Sequence, residues 1–277
     1  MEYRDCNLLN GVFAPPPIMS TSSVARLGSR FLESTRMWLV IATIVQRTLG
    51  SLFSLAFMNH AVFRVIVRQV YFTAFQAIPI VCISALLIGS ITVDHLLDLL
   101  TNLNAYDQIG KYLIQAIMHV LAPLVCTTVL LLRSGSAVLS EMALMKINRE
   151  MDTLSMLGIS IEDYLYLPRI VAFAIGGPCL TIIFSLVALL GGYFTLGYFH
   201  DITFDNYIDQ LLTAIDLQSI IPLTLKPFFM GLAVVLIAME KGMTVRNSFT
   251  EVPIKLIRGM IHTAGCIIVI EIVFNQL

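Results

Sequence analysis

Residues 70–93, 112–132, 170–199 and 217–239 contain between them one lysine (Lys226), one histidine (His119) and no other charged side chain. A helix crosses the hydrocarbon of a bilayer, about 30 Å, with about 20 largely apolar residues, so each stretch reads as a spanning helix. A fifth, Gly259 to Leu277, carries His262 and Glu271 but has the length. The chain as a whole is 57% hydrophobic and 13% charged, with mean hydropathy +0.86, far from the composition of a soluble domain. The expected fold is an all-α integral membrane protein with five transmembrane helices. Added to these are an N-terminal interfacial helix, a cytoplasmic coupling helix and a short periplasmic amphipathic helix.

Charge outside the spans sets the orientation, because Lys and Arg concentrate on the cytoplasmic side. Arg26 to Arg68 precede the first span, Arg133, Lys146, Arg149 and Arg169 fall between the second and third, and Lys241, Arg246, Lys255 and Arg258 between the fourth and fifth. The opposite loops are mainly acidic, the first holding Asp94, Asp98 and Asp107 with one base, Lys111, and the second Asp201, Asp205, Asp209 and Asp216 with none. The N-terminus is therefore expected inside and the C-terminus outside. Residues 1–22 read as a flexible cytoplasmic tail and 23–68 as an interfacial amphipathic region whose bases face anionic headgroups. Residues 69–277 read as the membrane domain. "FDNYIDQLLTAI" places Tyr207, Leu211 and Ile215 at four-residue steps, the pattern of a short amphipathic helix on the outer side. Pro178, behind a pair of glycines, is a natural kink in a third run that is long for one crossing.

Several chemistries are excluded. A net charge of -1 gives no clustered basic face for nucleic acid. The five cysteines (Cys6, Cys82, Cys126, Cys179, Cys266) are scattered and suggest neither disulfides nor a metal site. No phosphate-binding GxxxxGK[ST] loop, HExxH pair or nucleophile elbow occurs, so the chain is expected not to be an enzyme and to hold no cofactor of its own.

Ionisable groups within spans are costly in hydrocarbon and mark a cavity, a pathway or a partner. At 1.5 Å per residue, Lys226 lies about 13 Å below the outer face, Glu271 about 12 Å and His119 about 10 Å. Three polar groups on three helices thus share one depth in the outer leaflet. They read either as an ion pair locking helices together or as the polar patch of a cavity, and the two roles are compatible. Ile91, His95 and Leu99 share one helix face, read chiefly as apolar packing; Ile91, Leu99 and Leu121 are the candidate apolar walls of a lipid cavity. Arg68 is placed at the inner headgroup level.

Between the second and third spans lies "RSGSAVLSEMALMKINREMDTLSMLGI", which holds Glu141, Lys146, Arg149, Glu150 and Asp152 among Met142, Met145, Met151, Leu154, Met156 and Leu157. It is too charged to span. Methionines beside alternating charges suit docking into a groove on another protein.

The run from Ala122 to Ala172 resembles the signature of the MlaE/YrbE permeases, the membrane subunits of MCE-type ABC transporters that move lipids across the bacterial envelope. Pro123, Arg133, Gly135, Ser136, Ala137, Glu141, Met145, Lys146, Glu150, Asp152, Leu154, Gly158, Tyr164, Leu165, Pro168 and Arg169 fall at the matching steps. "RQVY" at Arg68, "LLGGYF" at Leu189, "LKPFFMGL" with Lys226 and "EVP" at Glu251 extend the resemblance over residues 60–277. It implies a bacterial inner-membrane homodimer enclosing a phospholipid cavity, docked on cytoplasmic ATPase subunits through residues 134–163. It further implies a periplasmic MCE ring above and a small cytoplasmic accessory subunit, with ATP and Mg on the ATPase. The coupling residues it implies are Glu141, Met145, Lys146, Glu150 and Asp152; the cavity residues are His119, Lys226 and Glu271 with Arg68. One departure stands out: where many members read RELGP, this chain reads "HVLAP", so His119 and Val120 replace a fixed charge pair. Two rival readings follow from the residues alone, an ion-coupled secondary transporter using Lys226 and Glu271 as a proton relay, and a structural membrane scaffold.

Overall fold

The structure, a computed structural model, describes residues 39, 41–46, 48, 60–102, 109–199, 204–214, 217–245 and 248–276. The expected tail and most of the expected interfacial region lie outside these residues. Within them five helical stretches are long and apolar enough to cross a membrane: Val62–Leu100, Gly110–Ile147, Glu162–Phe194, Ile221–Met243 and Glu251–Gln276. Among the described residues there is no strand.

The first crossing is two helices, α1 (His60–Thr73) and α2 (Ile78–Asn102), joined by a single tight turn at Phe75–Ala77. Pro79 explains the break. It has no N–H to give the carbonyl of Phe75, so the α-helical ladder cannot run through; that carbonyl takes the N–H of Ile78. The N–H of Ala77 goes to Ala74 (3.0 Å) and not to Thr73 four residues back.

The second crossing continues well past its apolar run. Its α-helical parts are α3 (Ile109–Ile114), α4 (Ala122–Leu130) and α5 (Ser136–Ile147), joined by wider π-helical turns at Gln115–Leu121 and Leu131–Gly135. The apolar run ends at Leu132, but hydropathy marks where lipid stops, and nothing in the following residues breaks a helix until Asn148. The expected coupling segment is therefore half an extension of the second crossing and half a separate helix, α6 (Glu150–Met156), set off by Arg149 in the left-handed conformation (φ 57°).

The third crossing, α7 (Leu167–Phe199), stays helical through Pro178, where the sequence pointed to a kink. After it comes α8 (Phe204–Ala214), amphipathic as its spacing predicts, with Tyr207 and Leu211 buried. The Tyr207 hydroxyl donates to the Leu189 carbonyl (2.9 Å), and burial pushes its phenol pKa up. The last crossings are α9 (Leu217–Met243) and α10 (Glu251–Gln276).

With no hydrophobic drive between helices in lipid, close packing holds the bundle, and glycine permits it. A Cβ on Gly177 would sit 2.6 Å from the Pro227 carbonyl oxygen, and one on Gly231 2.7 Å from that of Phe173. These reciprocal approaches press α7 and α9 backbone to backbone. Gly89 does the same against Ala188 between α2 and α7. Residues 41–46 are helical, and Ile41 packs against Ile237 of α9.

Candidate functional site

Two polar centres lie at opposite ends of this bundle. The first is built on Lys226 of α9, 1% exposed. Its ammonium donates to the His119 carbonyl (2.6 Å), to Glu271 Oε1 (2.6 Å) and, at 3.5 Å, to Asn275 Oδ1. Pro123 supplies the reason that the His119 carbonyl is open to a side chain: in an α-helix that oxygen would receive the N–H of residue 123, and proline has none. All three ammonium hydrogens thus have an acceptor. Glu271 is 9% exposed, and its second oxygen, Oε2, is buried without a hydrogen-bond partner in the single chain.

The structure brings Lys226, Glu271 and His119 together, with one change in role: His119 contributes its backbone oxygen, so the residue type at this position matters less to Lys226 than the proline four residues on. Asn275 is a member that depth counting from charged residues passed over. Leu121 packs, half-buried, against the core. Ile91 and Leu99 do not join the centre; they lie 58% and 60% exposed on α2, whose main packing partner is α7. Arg68 is also remote, its guanidinium over the Phe72 ring (5.7 Å) near the other end of the first crossing.

The second centre surrounds the break in the first crossing. Arg133 Nη1 donates to the Phe72 carbonyl (2.9 Å) and Nη2 to Gln76 Oε1 (2.7 Å), while the Ser134 hydroxyl reaches the Thr73 carbonyl (3.3 Å). Adjacent side chains on the second crossing thereby cap the carbonyls left at the end of α1. A groove of about 210 Å³ opens here, lined by Gln69, Phe72, Gln76, Arg133, Ala137 and Glu141 among others. Glu141, 58% exposed at its side chain, pairs with the buried Arg169 of α7 (2.8 Å). The sequence signal for this centre was the proline in the first crossing together with a lone arginine at the end of the second.

Beyond it the coupling residues divide. Met142 is fully buried and Met151 nearly so, while Met145 is half-buried against the core. Methionines read as a docking face are in part the packing of α5 itself: a Cβ on Gly242 would lie 2.6 Å from Met142 Cβ, and one on Gly259 2.8 Å from a Leu139 methyl. Lys146, Glu150 and Asp152 are exposed, and Asn148 donates to Glu150 (3.1 Å). Met156 and Leu157 stand out at 86% and 70% exposed. They sit on a helix end closed by Gly158 at φ 74°, with Ile159 N–H returning to Leu154 (3.1 Å) and Gly158 N–H to Ser155 (3.1 Å), the paired bonds of a Schellman cap. Among the described residues no group of His, Cys, Asp and Glu side chains is arranged to hold a metal.

A helical bundle of five membrane-length crossings with a buried lysine–carboxylate pair on one side and an apolar, charge-flanked helix end on the other defines a polytopic membrane protein of transporter type. Residues 66–277 match the family described as Permease MlaE, and the chain belongs to that family. It is 24% identical over 177 residues to a probable ABC transporter permease protein of Rickettsia typhi, covering 64% of this chain and 68% of that one. It is 27% identical over 130 residues to the intermembrane phospholipid transport system permease protein MlaE of Haemophilus influenzae, covering 47% of this chain and 50% of that one. Similarity also reaches the chloroplastic protein TRIGALACTOSYLDIACYLGLYCEROL 1 of Arabidopsis thaliana, 27% identical over 144 residues, 52% of this chain and 41% of that one.

Proposed function

We propose that this chain is the membrane permease subunit of an ATP-driven phospholipid transporter of the bacterial inner membrane. It acts as a homodimer with a separate cytoplasmic ATPase carrying ATP and Mg, a periplasmic MCE-domain ring and a small accessory subunit. Residues 69–277 form the permease domain, with the N-terminus inside.

The observation that carries this reading is mechanical. The exposed Met156–Leu157 end closes α6, which follows α5 directly; α5 is the extension of the second crossing, held against α9 and α10 through Gly242 and Gly259, and tied to α7 by Arg169 and Glu141. A force applied there by a nucleotide-driven partner reaches four crossings at once. The homodimer draws support from Glu271 Oε2, buried and unpartnered in one chain, since an unmade hydrogen bond in an apolar setting costs about 1–3 kcal/mol. A lipid cavity shared by two protomers would supply the missing donor. The three acceptors around Lys226 support a fixed lock there over a proton relay that must exchange partners in every cycle.

The test is copurification. The wild-type chain brings down a Walker-type ATPase, Met156→Asp loses it while leaving the thermal unfolding of the permease unchanged, and lipid extracted from the purified complex is phospholipid. Retention of the ATPase by Met156→Asp, or a preparation without bound phospholipid, defeats the reading.

A further inference from the structure

The inner groove has a chemistry that neither packing nor ATPase docking requires. Resting on the proposed function for its orientation, its depth follows from counting. If Asp94 marks the wet outer end of the first crossing, about 20 residues inward is Ala74; from Gly110 on the second crossing the same count reaches Leu130. The break at Phe75–Ala77 and Arg133 therefore meet at the inner headgroup level.

The groove's rim is what that level demands. Tyr71, Phe72 and Phe75 are 49%, 44% and 58% exposed, and the Tyr71 and Phe75 rings stack at 5.1 Å. Aromatic rings exposed at the hydrocarbon boundary suit the place where acyl chains give way to headgroups. Inside, a guanidinium, two side-chain amides and a carboxylate line one small space. Arg133 has five N–H donors and uses one from each terminal nitrogen on Phe72 and Gln76; the remainder suit a phosphate. Glu141 uses Oε2 on Arg169, and Oε1 lies outside that pair. A site with both a fixed cation and a half-exposed carboxylate is ill suited to a purely anionic headgroup, which the carboxylate would repel.

We propose that this groove binds the zwitterionic headgroup of an inner-leaflet phospholipid bearing a primary ammonium, with the phosphate at Arg133 and the ammonium between Glu141 and the amide oxygens of Gln69 and Gln76. It is a second lipid site, on the cytoplasmic leaflet, separate from the Lys226 centre. The ammonium's N–H groups distinguish it from a quaternary amine, which has none to give a carboxylate.

The experiment uses the full-length chain in vesicles of phosphatidylethanolamine and phosphatidylglycerol in equal parts, with the photoreactive amino acid benzoylphenylalanine at position 72, and reads the captured lipid by mass spectrometry. Phosphatidylethanolamine is expected to exceed phosphatidylglycerol by about tenfold, the factor that accompanies one charge-assisted hydrogen bond of about 1.4 kcal/mol. The same probe at Phe75, on the lipid-facing rim, captures the two lipids evenly. Glu141→Gln abolishes the preference; so does Ala137→Leu, which fills the groove from an exposed helix position without removing any hydrogen bond. An even ratio at position 72, or a preference that survives both variants, overturns the proposal. Loss of all lipid capture in excess inorganic phosphate also overturns it, by assigning the groove to the free anion. A probe at His119 separates the two levels of inference: lipid captured there with no preference at position 72 defeats the groove alone, and no lipid at either position defeats the proposed function.

Discussion

The two polar centres solve opposite problems with similar side chains. At Lys226 an ammonium is dehydrated and saturated, with acceptors from three separate helical turns and almost no exposure. At Glu141 the carboxylate is mostly in contact with the surroundings while its arginine is buried, so the pair can open from one side. The difference teaches that in this bundle a buried charge fixes helices, whereas a half-exposed one leaves a place for something else to bind.

The sharpest way to break the comparison is Lys226→Met. Stripping the cation from a buried carboxylate is expected to cost about 3–5 kcal/mol, seen as a large fall in the detergent unfolding temperature. The double variant Lys226→Met with Glu271→Leu should recover most of that loss; if it does not, Lys226 does more than neutralise Glu271. Next in size, Gly242→Val forces a Cβ against Met142 and the Leu139 carbonyl and is expected to cost about 1–3 kcal/mol by overpacking, with ATPase binding weakened in parallel. Gly158→Ala places a side chain at φ 74° in open space, so its cost is backbone strain alone, about 1 kcal/mol. Limited proteolysis around Met156 should rise while the spans stay protected. No larger is Glu141→Gln, expected to shift unfolding by about 1 kcal/mol, because the amide oxygen still accepts from the buried Arg169 and the position itself is more exposed than buried. A loss there as large as that of Lys226→Met would erase the distinction between the centres.

The positions of the crossings were legible because charge is excluded from lipid whatever the packing, and so was the shared depth of Lys226, Glu271 and His119. The amphipathic helix around Tyr207 was legible for the same reason, a period visible in local order. Less visible were element ends. The second crossing runs to Ile147 because helix continuity obeys backbone chemistry while hydropathy reports only the solvent. The methionines of the coupling segment could not be sorted from sequence, since Met142 differs from Met156 only in what lies opposite, and the opposite surface at Met142 is Gly242 from a hundred residues away. Ile91 and Leu99 stay exposed in the single chain for a like reason: an apolar face in a membrane protein satisfies its pattern equally against lipid, helix or partner.

By itself, then, the sequence determined which five stretches are long and apolar enough to cross a membrane and which few polar groups must be buried, because these follow from solvation free energies that act residue by residue. Only the tertiary structure decided which groups meet. It gave the His119 carbonyl to Lys226, since Pro123 withholds the N–H that would have closed it. It set Arg133 and Ser134 against the broken end of α1, since the partners of the Phe72 and Thr73 carbonyls, left open where that helix ends, depend on which helix packs beside them.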